Sequence, residues 1–126
     1  MERRTESIHH DLHPALTRLL LPSENVLHHV QSDMTLLGRY EDSSWLLLTD
    51  RRLIAWDRSH PNNALVVELE RLADVRVRRM YGSAVLELER RNADGGTVVL
   101  EAFRCSNSLL DELFSFAGRA LEQIQG

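Results

Sequence analysis

The sequence predicts a mainly β (α+β) fold: about seven antiparallel strands in a split barrel, capped by a C-terminal amphipathic helix and preceded by a short N-terminal helix. Three observations carry that expectation. Between Ser23 and Arg104, short apolar or alternating runs recur with clusters of turn formers between them, the spacing of meandering strands in a barrel or sandwich. No helical repeat interrupts those runs, which argues against the crossover connections of a parallel sheet. After Arg104 the apolar period lengthens from that of a strand to that of a helix.

Residues 1–21 read as an extension carrying one short helix, with Leu12, Leu16, Leu19 and Leu20 at helical spacing. Pro14 is tolerated only in a first turn, so this helix is expected to start near Leu12 or His13 and to stop before Pro22. Residues 22–126 read as the domain proper. Its first strand is Val26–Val30, and Leu36–Glu41 is a second extended segment. Trp45–Thr49 is a continuous apolar run, as in a buried strand. A turn at Asp50-Arg51 leads into Arg52–Trp56, and Ser59–Asn63 is dense in turn formers.

Further on, Leu65, Val67 and Leu69 alternate with Val66, Glu68 and Glu70, and Val75 and Val77 with Arg76 and Arg78. Gly82-Ser83 reads as a tight reversal. Leu86 and Leu88 then alternate with Glu87 and Glu89, giving one buried and one wet face. Ala93-Asp94-Gly95-Gly96 is a hairpin signal, because Gly supplies the positive φ such turns need. Thr97–Phe103 is the last strand.

Leu109, Leu110, Leu113, Phe114, Ala117, Ala120, Leu121 and Ile124 form the stripe of the closing helix. Ser108 and Asp111 fit a capping box, and Asp111 and Glu112 suit the positive helix N-terminus. Gly118 costs up to about 1 kcal/mol relative to Ala inside a helix, a cost that close packing on the sheet would justify. The helix is expected to plug one open end of the barrel.

Composition narrows the function. The chain has 126 residues, 43% apolar and 27% charged, and suits one domain with a real core. Its formal net charge is −4, without the basic excess of a nucleic-acid binder. All 15 basic residues are Arg. Cys105 is the single cysteine, so no internal disulfide forms, which agrees with a reducing compartment. No apolar stretch approaches the roughly 20 residues that cross a bilayer, and the start of the chain does not read as a signal peptide.

Two motifs carry a resemblance. Leu21-Pro22-Ser23-Glu24-Asn25-Val26-Leu27 and the hairpin Trp45–Ile54, centred on Thr49-Asp50-Arg51-Arg52, resemble the opening and the main hairpin of bacterial pleckstrin-homology (PH)-like and GRAM-like domains. Ser32-Asp33, Gly38-Arg39-Tyr40, Trp45 and the ending Arg104–Leu109 with Phe114 further resemble the N-terminal PH-like domain of certain bacterial ABC-type exporters. The resemblance covers residues 20–125 or so. It implies a PH-like barrel and a non-catalytic binding, docking or regulatory module. It also implies a cytoplasmic place, membrane association through a parent transporter, and self-association, since such exporters work as dimers. No Walker A pattern occurs in the chain, and there is no Lys to build one.

The chemistry-bearing residues give two further readings. Arg51, Arg52, Arg76, Arg78 and Arg79 are the candidate binding residues, able to take a phosphate or an acidic lipid head group. The alternative to the exporter placement is a free-standing PH- or GRAM-like adaptor that recognises a peptide or an anionic lipid. Against anion binding by these arginines stands pairing with Glu68, Glu70, Glu87 and Glu89 on neighbouring strands. His9, His10 and His13 are weak candidate metal ligands, around which a small metal-dependent enzyme would be built. A solvated terminal segment is the favoured reading, and no metal or other cofactor is expected. His28 and His29 are expected on opposite faces of a strand. Cys105 reads as a buried thiol, and Trp45 and Trp56 as core.

Overall fold

The computed structural model describes residues 14–41 and 44–125. A short helix, α1 (Pro14–Leu19), leads into seven strands: β1 (Val26–Gln31), β2 (Ser44–Thr49), β3 (Arg52–Asp57), β4 (Leu65–Glu68), β5 (Leu72–Met80), β6 (Ser83–Arg91) and β7 (Thr97–Ser106). The closing helix, α2, spans Leu110–Gln125. Pro14 is the first described residue of α1, and the expected helix start near Leu12 or His13 lies outside the described residues. The strands form two antiparallel meanders, β1-β2-β3-β4 and β5-β6-β7.

The sheets are not closed into a barrel: among the described residues no ladder joins one to the other. Two things replace it. Helix α2 packs against the edge strands β5 and β1, one from each sheet. At the end of β7, side chains from the segment after β1 take over. Asp33 accepts from the Ser106 N–H at 2.9 Å and from the Ser106 hydroxyl, and the Ser32 hydroxyl donates to the Arg104 carbonyl.

One core fills the space between the sheets and α2, with Leu46, Leu48, Leu53, Leu72, Leu86, Leu88, Phe103, Leu113 and Phe116 among its members. A second cluster lies on the other face of the four-stranded sheet. There Leu16 of α1 packs with Val26, Trp45, Leu47, Ile54 and Trp56. The continuous apolar runs of β2 and β3 are therefore buried on both sides. Both tryptophans are core residues, as their sequence context suggests, and face each other in the β2–β3 register.

Several expectations shift. Leu36–Glu41 is a tight loop, with one isolated bridge between Met34 and Tyr40. Thr35 N–H donates to Arg39 O at 2.8 Å and Gly38 N–H to Thr35 O at 2.9 Å, with Gly38 at φ +86°. Strand β4 stops at Glu68, because Leu69 N–H turns to Arg51 O and the chain enters a 3₁₀ turn over Leu69–Arg71. Strand β7 runs on past Phe103 to Ser106.

The helix start is also displaced. Ser106, rather than Ser108, is the capping residue, accepting from Ser108 N–H ahead of the 3₁₀ turn Asn107–Leu109. Phe116 is fully buried and Phe114 is 47% exposed, so the buried stripe runs Leu113, Phe116, Ala117, Ala120. Gly118 lies on the outer side, where an added Cβ would meet nothing within 4 Å. Its presence is not explained by close packing.

Candidate functional site

The β2–β3 hairpin is tied down by one buried carboxylate. Glu24, 5% exposed, accepts from Arg52 Nε at 2.8 Å, from Arg52 Nη2, from the Thr49 hydroxyl and from the Leu21 N–H at 3.0 Å. Burial pushes this carboxyl up, but those donors and the Arg52 charge outweigh it and hold it down at about 2. Thr49 Oγ also accepts from the N–H groups of Arg51 and Arg52. The turn residues are thus fixed by their own side chains.

Beyond this knot lies an open cleft of about 530 Å³. It is lined by Leu21 and Arg51, by Arg52, by Val66–Glu68 of β4, by Arg71 of the following turn and by Arg90 of β6. Arg52 is committed to Glu24 and to the Leu19 carbonyl at 2.7 Å. Arg51 meets Ser23 Oγ at 2.8 Å. The side chains of Arg71 and Arg90 have no hydrogen-bond or ion-pair partner among the described residues. Arg71 and Arg90 were not legible as site residues, since only the topology brings them beside Arg51.

The other candidate arginines behave differently. Arg76 pairs with Asp74 at 3.1 Å and with Glu87 at 3.3 Å, and Arg78 with Glu87 at 2.8 Å and Glu101 at 2.6 Å. The Arg78 and Arg76 hydrogen bonds hold the Glu87 carboxyl below its ordinary range despite some desolvation. Of the glutamates expected to pair, Glu87 does so, Glu101 joins it, and Glu89 instead meets the Thr97 hydroxyl at 3.3 Å. Arg79 is exposed and outside this ladder.

At the end of the molecule away from the cleft, two connections present apolar side chains to solvent. Leu36, Leu37 and Tyr40 stand out from the β1–β2 loop, and Met80 and Tyr81 from the β5–β6 hairpin. Leu37 is 86% exposed and Tyr81 fully so. Arg104 joins the two connections, donating to Leu36 O at 3.1 Å and to Ser83 Oγ at 3.2 Å. A Cβ at Gly38 would sit 3.3 Å from the Arg104 guanidinium carbon, so this loop is held closely over that side chain. The sequence signal was present in apolar residues flanking Gly38 and Gly82, but an extended segment was the expectation there.

His9, His10 and His13 lie outside the described residues. Among the described residues no cluster of three His, Cys, Asp or Glu side chains could hold a metal ion. His28 lies 5.6 Å from the Phe116 ring and His29 stacks on Trp45 at 6.5 Å, one on each face of β1. Cys105 is fully buried, and burial, with help from Asp33 and Glu112, pushes its thiol up to about 11. It is therefore protonated at neutral pH, the wrong form for a nucleophile. No described helix is long and apolar enough to cross a membrane. Comparison with protein-family models, curated proteins and solved structures finds no match to this chain.

Proposed function

We propose that the chain is a non-catalytic PH-like docking or regulatory module, and that it serves as the cytoplasmic N-terminal domain of an ABC-type exporter. The observation that carries the docking role is the pinned apolar end: Leu36, Leu37, Tyr40, Met80 and Tyr81 on two adjoining connections. Exposed apolar residues gathered in one place mark interaction surfaces, and Tyr is enriched among the residues that anchor them. The PH-like reading is supported by the four-plus-three strand order, the single closing helix and the Thr49–Arg52 turn. In that setting the apolar end meets the parent transporter or the second copy of the module.

The test begins with the reading frame downstream of Gly126. Membrane helices followed by a Walker A motif support the exporter placement, and a stop codon removes it. With such a transporter in hand, Leu37→Ser/Tyr81→Ser should weaken its association with the domain by about tenfold or more and leave the melting temperature unchanged. Undiminished association would sink the docking role of this end.

A second reading has its own observation. Arg39 and Arg79 are exposed and flank the same apolar connections in sequence, a composition suited to an anionic bilayer surface. A free-standing adaptor of this kind would co-sediment with phosphatidylserine vesicles and not with neutral ones.

A further inference from the structure

We propose that the arginine cleft beside β4 is a docking site for an acidic, extended segment of a partner polypeptide. The charge balance is the first argument. Glu24 neutralises Arg52, and among the described residues Glu68 is the only carboxylate in the lining. Arg51, Arg71 and Arg90 therefore leave the cleft positive on a chain whose formal net charge is −4. Guanidinium forks take carboxylates two oxygens at a time.

Size and lining argue for a polypeptide rather than a single oxyanion. The opening measures about 530 Å³, against about 30 Å³ for one water in the liquid. The three cations come from the β2–β3 turn, the β4–β5 turn and the end of β6. Carboxylates spread along a chain match such a distribution. The exposed aliphatic side chains of Leu21 and Val66 share the lining; they offer an inorganic ion nothing and a peptide's apolar side chains a surface.

The edge of the sheet is the third argument. Strand β4 ends the four-stranded sheet and pairs only with β3 among the described residues. Its outer edge is placed to pair with an added strand, the mode in which main-chain bonds give affinity and alternate side chains give specificity. The cleft lies by the β2–β3 and β4–β5 turns, at the opposite end of β2 and β5 from the apolar connections. It therefore stands or falls independently of the docking role of that end.

The experiment is an amide-resolved NMR titration of the whole chain with a capped peptide of alternating glutamate and valine. Parallel titrations use the matching lysine–valine peptide, inorganic phosphate, and phosphatidylserine vesicles. The expected result is saturable shifts confined to Val66–Glu68, Arg51, Arg71 and Arg90 with the acidic peptide alone. Arg71→Gln/Arg90→Gln should weaken it about tenfold, the loss of two charge-assisted contacts, while Arg79→Gln should not. Both replaced side chains lack partners among the described residues, so the melting temperature should hold; if it does not, Arg90→Gln alone is titrated, with a smaller loss expected. Equal binding of the lysine peptide, an affinity indifferent to these variants, or saturation by phosphate or vesicles but not by the acidic peptide would each overturn the proposal.

Discussion

The two sheets of this molecule are covered differently. Every residue of β2 from Trp45 to Thr49 is buried, because the core lies under one face and the α1 cluster over the other. Among the described residues the three-stranded sheet is covered on one face only, and its outer face carries the Arg76–Glu87–Arg78–Glu101 ladder. The contrast extends to charge. The doubly covered sheet holds one buried ion pair, Glu24 with Arg52, satisfied by several further hydrogen bonds. The singly covered sheet keeps its charges at the surface, where water screens them. A strand's sequence pattern thus reports how many of its faces are covered.

The largest effect should come from the one element that both sheets share. Leu113 is fully buried in the central core, on the helix that packs across β5 and β1. Leu113→Asp places an unpaired carboxylate there, a burial that proteins of marginal stability do not survive. Thermal unfolding followed by circular dichroism should show no cooperative transition. A cooperative melt near the wild-type temperature would mean that α2 does not hold the sheets together.

The double coverage is broken next. Leu16 is the fully buried residue of α1, and Leu16→Ala should cost about 2–4 kcal/mol in urea unfolding. If the loss is below about 1 kcal/mol, the value expected for a surface position, the outer face of the four-stranded sheet is effectively open and the comparison fails.

Much of this fold is legible in the sequence. The continuous run Trp45–Thr49 reads as a buried strand, and the alternation of Leu86 and Leu88 with Glu87 and Glu89 reads as a half-wet one. What covers the outer face is not legible, because Leu16 is far from Leu47 and Ile54 in sequence and their contact belongs to the tertiary fold. The same limit hides the cleft. Arg51 and Arg52 stand out as a pair, yet Arg52 is spent on Glu24, while Arg71 and Arg90 enter through topology. The exchange of Phe114 for Phe116 on the buried face has a simpler cause: both are apolar, and the buried set Leu113, Phe116, Ala117 and Ala120 is itself at helical spacing.

The buried pair gives a pH signature. The Glu24 carboxyl sits at about 2 in the folded chain, against an ordinary value of 4.5. Its contribution is fully present above the ordinary value and is lost as the pH falls from there towards 2. That shift corresponds to about 3 kcal/mol. Glu24→Gln should cost about 2–3 kcal/mol at neutral pH, since it leaves the Arg52 charge half-buried and unpaired. It should also flatten the acid limb of the stability curve. A variant that retains the wild-type slope below the ordinary carboxylate range would place the acid sensitivity elsewhere.

The smallest effect belongs to the singly covered sheet. Arg78 bridges Glu87 and Glu101 across three strands, but its side chain is 44% exposed. Long side chains held in one geometry on a wet face lose in entropy much of what they gain in attraction, and salt screens the remainder. Arg78→Gln should therefore leave the urea midpoint within experimental error, and any residual difference should vanish at about 0.5 M salt, where charges act over only a few ångströms. A large, salt-resistant loss would mean that the outer face of this sheet is covered after all. The ladder would then be counted with Glu24 and Arg52 as an interior pair, and the distinction between the two sheets would not hold.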